Sequence, residues 1–288
     1  MFIGGIGRPA APMPEGHTLH RLAAEFTERF RGLPTRSSSP QGRFVAESLL
    51  IDGRRLDDAE AHGKHLFLTF GERIVHVHLG LAGKIGFTDG DPPPVIGAIR
   101  WRLTTEAPHS TADLRGPAAC ELLTPGEVDA LTARLGPDPL RPDADPDAGW
   151  RRITRSRTPI AALLMDQRVA AGVGNIYRAE LLYRHRIDPM MEGRLLKPGE
   201  WQAMWADLQQ LMRHGVQTGR IDTVRPEHEP EAMGRPPRVD AHGGEVYVYR
   251  RAGQPCLVCR SKVRIAELAG RNLFWCPGCQ RRTRRRGR

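Results

Sequence analysis

The chain is 288 residues long, with 43 Lys and Arg against 33 Asp and Glu and a formal net charge of +10. It is too long for a disulfide-stapled miniprotein and accommodates two or three modules, and its 40% hydrophobic content provides for at least one core. No apolar run approaches the roughly 20 residues of a membrane span, and no secretory leader is expected from Met1–Pro12, whereas the positive excess favours a polyanionic partner, most often nucleic acid.

The first thirteen residues are Gly/Pro-rich, without period, and read as unstructured. Leu19, Leu22, Ala23, Phe26 and Phe30 then recur at helical spacing and predict a helix with one face in a core. Between 43 and 123 the runs RFVAESLL, HLFLTF, IVHVHL and AIRWRL are rich in β-formers and separated by Gly/Asp/Pro punctuation. They predict an antiparallel sandwich or barrel. Thr124-Pro125-Gly126-Glu127 predicts a helix start, and Pro-rich residues 137–147 read as a linker. Thr158-Pro159 predicts a helix through Leu163 and Leu164, and another follows Gly174. A further one carries Trp201, Met204, Trp205, Leu208, Leu211 and Met212 as a core stripe. Residues 225–240 are polar and Pro-rich, a hinge or loop. Lys64, Lys84, Lys197 and Lys262 are the only lysines, so an arginine-rich genome explains the charge as well as a polyanion does.

Four of the five cysteines, Cys256, Cys259, Cys276 and Cys279, crowd the last 33 residues. Two Cys-x2-Cys turns separated by sixteen residues fit a closed four-thiolate zinc site around a hairpin. Two unrelated redox pairs are the alternative. The pattern suits a reducing, cytoplasmic setting better than a secreted disulfide framework. Arg271 follows Gly270 at the hairpin tip, where it could grip a phosphate or lie solvated at the surface. Gly172-Val173-Gly174-Asn175 joins two helical segments. The glycines permit close backbone approach, and Asn175 opens a helix whose free N–H groups favour an anion. A plain helix–helix connection would look the same.

Met13-Pro14-Glu15-Gly16 reads first as an ordinary helix start. A chain beginning at Met13 and trimmed to Pro14 would instead expose a secondary amine able to condense with a sugar aldehyde carbon. Such an α-amine has a pKa near roughly 7.7–8.0, so part of it is unprotonated at neutral pH. An internal Pro14 has no amine to offer.

In order along the chain, MPEGHTLHRLA, AHGKHLFLTF, DQRVAAGVGNIYRAELLYRHRIDP and GRNLFWCPGCQ resemble the formamidopyrimidine-DNA glycosylase / endonuclease VIII family. The resemblance runs from about Met13 to Gln280 and leans to the actinobacterial endonuclease VIII side. It implies an enzyme that excises oxidised bases from damaged DNA and cleaves the strand at the abasic site. It implies that Pro14 is the nucleophile forming a Schiff base with deoxyribose C1′ and that Glu15 assists base loss and ring opening. Lys64 matches a hairpin lysine that contacts phosphate and transfers a proton in β-elimination. Asn175 matches a phosphate-gripping asparagine, and Arg271 matches a zinc-finger arginine that contacts phosphates and assists δ-elimination. Leu81 falls on the loop that fills the void left by a flipped base, and Arg134 matches a further DNA-contacting arginine. Asp113-Leu114-Arg115-Gly116 keeps Arg115 of the 8-oxoguanine-type void-filling segment but lacks its phenylalanine. That points towards oxidised pyrimidines or single-stranded lesions.

The expected fold is α+β: a first helix with an antiparallel β-sandwich, a helix–two-turn–helix module, and a C-terminal four-cysteine zinc hairpin. The expected boundaries are an extension or mis-assigned start at 1–13, the catalytic sandwich at 14–135 and a linker at 136–149. The helical DNA-binding module follows at 150–224, then a loop at 225–244, the zinc finger at 245–280 and a basic tail at 281–288. The tail holds six arginines, leaving +4 for the rest of the chain. A monomer with one structural Zn2+ ion and no membrane partner is expected. The rival expectation is a catalytically inactive lesion- or DNA-binding protein, which follows if residues 1–13 remain attached. Metal analysis of purified protein is expected to give about one zinc per chain; protein without zinc would exclude the four-thiolate reading.

Overall fold

The computed structural model describes residues 14–239 and 244–281. The extension at 1–13 and the tail beyond Arg281 fall outside the described residues. Helix α1 (Gly16–Phe30) buries the expected stripe of Leu19, Leu22, Ala23, Phe26 and Phe30. It lies on two four-stranded antiparallel sheets. One is ordered β1 (Thr35–Ser38), β6 (Ile99–Thr105), β7 (Ser110–Arg115) and β5 (Lys84–Asp89). The other is ordered β2 (Asp58–His62), β3 (His65–Phe70), β4 (Arg73–His78) and β8 (Ala119–Leu123). Phe26, Phe30, Phe44, Phe70, Leu68, Val75 and Trp101 fill the core between them.

One run departs from the expectation. VAESLLI forms helix α2 (Val45–Ile51), not a strand. Ala46, Glu47, Leu49 and Leu50 are good helix formers, and only Ser48 and Ile51 of this helix are buried. The apolar run is therefore mostly a surface turn of helix, with Leu49 68% exposed.

Helix α3 (Pro125–Thr132) starts where expected, closed by a capping box between Thr124 and Glu127. Pro137, Asp138 and Pro139 are buried, whereas Pro142, Asp143 and Asp145 are exposed, and α4 (Pro146–Ile153) begins inside the Pro-rich stretch. The helix expected after Pro159 is only the single turn α5 (Ile160–Leu163). Helix α6 (Asn175–Arg184) is buried along nearly its whole length, and α7 (Pro198–Thr218) presents the Trp201/Met204/Trp205/Leu208 stripe to it. Left-handed Gly219 ends α7, a position where a β-carbon is disfavoured. The hairpin of β9 (Arg264–Leu268) and β10 (Arg271–Trp275) follows. Leu273, Phe274, Cys256 and Cys276 join the core of the helices, so the cysteine module and the helical module share one core.

One carboxylate adds a polar clamp between those modules. Glu180 on α6 is fully buried. Its oxygens accept from the Tyr247 and Val248 amides at 2.7 and 2.8 Å, the Tyr249 amide at 2.8 Å and the Thr223 hydroxyl at 2.7 Å. The role is structural, a clamp on the chain that leads into the cysteine module. Replacing Glu180 with Ala strands three buried amides, since the Thr223 hydroxyl can turn to the Glu245 carbonyl at 3.3 Å, and is expected to cost about 3–5 kcal/mol. Urea unfolding measures this, and a loss under about 1 kcal/mol would show the clamp to be dispensable.

Candidate active site

The site begins at the N-terminus of α6. Asn175 does not cap this helix; Gly174 holds the cap position and no side chain of the cap closes the turn. The donors that the sequence offered to an external anion are taken instead by Glu15, 159 residues away along the chain. Its carboxylate accepts from the Gly174 amide at 2.8 Å, the Ile176 amide at 2.7 Å and, more loosely, the Tyr177 amide at 3.4 Å. The partial positive charge of the helix end favours this anion. Burial nevertheless dominates and raises the Glu15 pKa, with Lys64 and the amides opposing the rise. A β-carbon on Gly174 would sit 2.4 Å from the Glu15 carboxyl carbon, so glycine is required there by contact.

Three backbones meet beside this cap. The Gly16 amide donates to the Gly172 carbonyl at 2.8 Å. A β-carbon on Gly16 would lie 2.8 Å from the Gly172 α-carbon, and one on Gly63 would lie 3.0 Å from the Gly172 amide nitrogen. Gly63 sits in the turn joining β2 to β3, immediately before Lys64. Asp138 holds that turn: it accepts from the Gly63 amide at 2.7 Å, the His20 ring at 2.7 Å and the Leu140 amide at 2.9 Å. Gln167 braces the Gly172 turn, accepting from its amide at 2.9 Å and donating to the Val173 carbonyl at 2.9 Å.

These constraints converge on a pocket of about 270 Å³ lined by Pro14, Glu15, Lys64, Leu81, Asn175 and Arg271, together with His78, Met165 and Gln167. Burial lowers the Lys64 pKa, with Glu15 opposing and Arg271 reinforcing the shift. Arg271 opens β10 after a turn in which Ala269 and Gly270 both have positive φ. That hairpin is pinned to α6 through the Asn272 carbonyl, which accepts from Asn175 Nδ2 at 3.0 Å and Arg178 at 3.1 Å. Arg178 also donates to Asn175 Oδ1, and burial brings its pKa down to about 10. Leu81 stands 55% exposed at the pocket's edge.

Six of the expected site residues thus share one pocket; Arg115 and Arg134 do not line it. Arg115 bonds Asp113 at 3.0 Å at the end of β7, and Arg134 is exposed just past α3. His76 is a buried strand histidine bonded to Glu121 and His65, each at 2.8 Å. His78, two residues on, reaches the pocket wall. Burial and the neighbouring histidines hold the His65 pKa down to about 3. His62 bonds the Gly136 carbonyl at 3.5 Å. Sequence reasoning missed Asp138, Gln167 and Arg178, whose partners are remote in sequence or are backbone atoms. Only alternation along IVHVHL hinted at His78.

The four cysteine sulfurs lie within 4.8 Å of one another. Thiolates on a tetrahedral zinc with bonds of about 2.3 Å would stand roughly 3.8 Å apart, so the donor set fits a structural metal. Gly278 makes room for it: a β-carbon there would lie 2.7 Å from the Cys259 sulfur. Cys120 is half-buried in the sandwich, and burial pushes its thiol up to about 12.

Gly174→Ala is expected to displace the Glu15 carboxylate and cost about 1–3 kcal/mol in urea unfolding. Gly126→Ala, with open space around it, is the control. Equal stabilities for the two would refute the contact.

Three family models match the chain. They are the formamidopyrimidine-DNA glycosylase N-terminal domain over residues 13–120, the H2TH domain over 135–226, and the zinc finger found in FPG and IleRS over 253–282. "Endonuclease 8 1" of Mycobacterium tuberculosis is 52% identical over 276 residues, covering 93% of this chain and 100% of that protein. The formamidopyrimidine-DNA glycosylase of Methylococcus capsulatus is 31% identical, covering 93% of this chain and 99% of that one. The solved MutM (Fpg) protein of Thermus thermophilus has a TM-score of 0.71 at 28% identity, covering 93% of this chain and 98% of that one. A Lactococcus lactis Fpg complexed with abasic-site DNA has a TM-score of 0.75 at 20% identity, covering 93% and 100%, a likeness of fold. With three of the family's domains matched in order along it and 52% identity to a relative over 93% of its length, this chain belongs to the formamidopyrimidine-DNA glycosylase / endonuclease VIII family.

Proposed function

We propose that the chain is a bifunctional DNA glycosylase and abasic-site lyase of base excision repair, acting on oxidised bases with pyrimidines favoured. The observation that carries this reading is the meeting of Pro14, Glu15, Lys64, Asn175 and Arg271 around one pocket. Relatives named as an endonuclease and as glycosylases support it.

A base cannot be attacked inside the stack, so the damaged nucleotide flips out at a cost of roughly a few kcal/mol. Leu81, exposed at the rim, fills the gap it leaves. The Pro14 amine, freed by removal of the residues before it, attacks C1′ and the bond to the base breaks. Glu15 supplies a proton for base loss and sugar-ring opening; its burial-raised pKa keeps part of it protonated nearer neutral pH. The iminium formed acidifies the C2′ hydrogen. Lys64, whose burial-lowered pKa leaves more of it neutral, accepts that proton, and the 3′ phosphate leaves. Loss of the second proton and of the 5′ phosphate, with Arg271 on the phosphates, completes δ-elimination, and water hydrolyses the iminium to free Pro14. Arg271 holds phosphate throughout, and Lys64 joins it once it carries the proton. Asn175, already bonded to Asn272, has a second amide hydrogen for a phosphate, and Arg115 and Arg134 contact the duplex outside the pocket.

The four thiolates take one zinc ion, which fixes the hairpin that carries Arg271. The enzyme acts as a monomer in the cytoplasm, associated with the nucleoid when bound to DNA; among the described residues no helix is long and apolar enough to cross a membrane. The inactive-binder reading is not favoured, because the Mycobacterium relative that matches 93% of this chain at 52% identity is named as an endonuclease. The N-terminal family model begins its match at residue 13, which supports Met13 as the functional start.

Protein beginning at Pro14 is expected to form a borohydride-trapped covalent adduct with abasic-site DNA. Pro14→Gly is expected to weaken the adduct, and a retained 1–13 extension to abolish it. Equal trapping by the full 288-residue form would remove Pro14 as nucleophile.

A further inference from the structure

The segment from Leu163 to Val169 forms a partition. Met165 and Gln167 line the pocket described above. Asp166 and Arg168, which alternate with them, line a separate groove of about 820 Å³ on the other side. The opposite wall of that groove comes from α4 and the residues after it, with Arg151, Arg152 and Arg155 beside Ser156 and Thr158.

The charge of this groove is one-sided. Asp166 is its one lining carboxylate, and Arg168 neutralises it through contacts of 2.8 and 2.9 Å. Arg151 reaches Asp145 at 3.1 Å at an exposed position. The Arg152 and Arg155 guanidinium groups are exposed and make no direct hydrogen bond or ion pair with a described residue, although Arg152 lies near enough to Asp166 to help lower its pKa. An open groove with several exposed guanidinium groups is a poor cradle for one small anion, which needs buried, converging donors. It suits a polymer with repeated charge, and a duplex supplies one negative charge per roughly 1.7 Å of axis. The guanidinium fork matches phosphate oxygens bidentately.

We propose that this groove is a second phosphate-binding surface, taking the phosphodiester backbone of the same DNA molecule whose nucleotide occupies the pocket. The proposal rests on the DNA-processing reading and deepens it. The two binding surfaces share one short segment as their common wall, so the same DNA molecule is within reach of both. Contacts of this kind fix position along the duplex and carry no sequence information.

The test is binding of an abasic-site duplex of about 30 base pairs across a salt series, long enough to cover several helical turns. In the triple variant Arg151→Ala/Arg152→Ala/Arg155→Ala, the slope of log affinity against log salt is expected to fall by about 2–3. Each lost phosphate contact removes about 0.9. Affinity at about 100 mM salt is expected to drop roughly tenfold or more. Borohydride trapping at saturating DNA stays unchanged, because none of the three lines the pocket. The double variant Arg152→Ala/Arg155→Ala leaves the Asp145 contact intact and is expected to lose about 2 from the slope. The charge-matched control is Arg31→Ala/Arg36→Ala/Arg55→Ala, near the far end of α1, about 22 Å from Pro14 at 1.5 Å per residue. It should keep the wild-type slope. An unchanged slope in the groove variants, or an equal loss in the control, would overturn the proposal. Protein beginning at Pro14 that shows the expected slope difference yet never traps would overturn the lyase reading and leave the groove standing.

Discussion

The structure turns on a carboxylate that closes a helix belonging to another module. Glu15 enters from the start of α1 and takes three amides at the head of α6. A helix end buried without partners would strand its free N–H groups, and here the partner is also a pocket wall. The same side chain therefore joins the sandwich to the helices and sets the acid beside Lys64. Its burial opposes ionisation while the amides and Lys64 favour it, and this balance gives a buried carboxyl the means both to hold a helix and to part with a proton.

A second buried carboxylate repeats the device further along α6. Glu180 clamps three consecutive amides of the chain entering the cysteine module. Between the two, Asn175 and Arg178 hold the Asn272 carbonyl of the hairpin. Helix α6 is thus the common fixture. Its head positions the residues of the sandwich, its first turn positions the hairpin that bears Arg271, and its middle anchors the approach to the metal site. Between the sandwich and the helices, whose cores are separate, the geometry of the pocket follows from polar bonds to one buried helix; the cysteine hairpin is joined to that helix by polar bonds and by a shared core.

Much of this was legible in the residues. The four cysteines declare a site because thiolate pairs at that spacing have few other uses. The stripes on α1 and α7 follow from helical periodicity, and Thr124 with Glu127 announced α3 through local hydrogen bonding. VAESLLI misled because a short apolar run has no period long enough to separate helix from strand. Glu15 was legible as chemistry and invisible as a cap, since its donors lie some 160 residues away and are backbone atoms that sequence does not mark. Asp138 was hidden for the same reason: Pro-rich surroundings suggested a loose linker, while its actual partners, Gly63 and His20, are far upstream. The free amides at the head of α6 do face an anion, the internal Glu15 carboxylate.

The junction of Gly16, Gly63 and Gly172 has a different consequence. In a leucine-rich core, a change of volume at one position can be absorbed by a neighbour that shifts or shrinks. Here three main chains touch, and the side chains beside them are the Met212 methyl and the Ala171 β-carbon. Shrinking Met212 would relieve its own contact with a β-carbon added at Gly16, but the Gly172 α-carbon would remain 2.8 Å away. The seam therefore tolerates far less change than either core. A directed-evolution campaign on this enzyme would therefore have freedom inside each module and almost none where the modules meet.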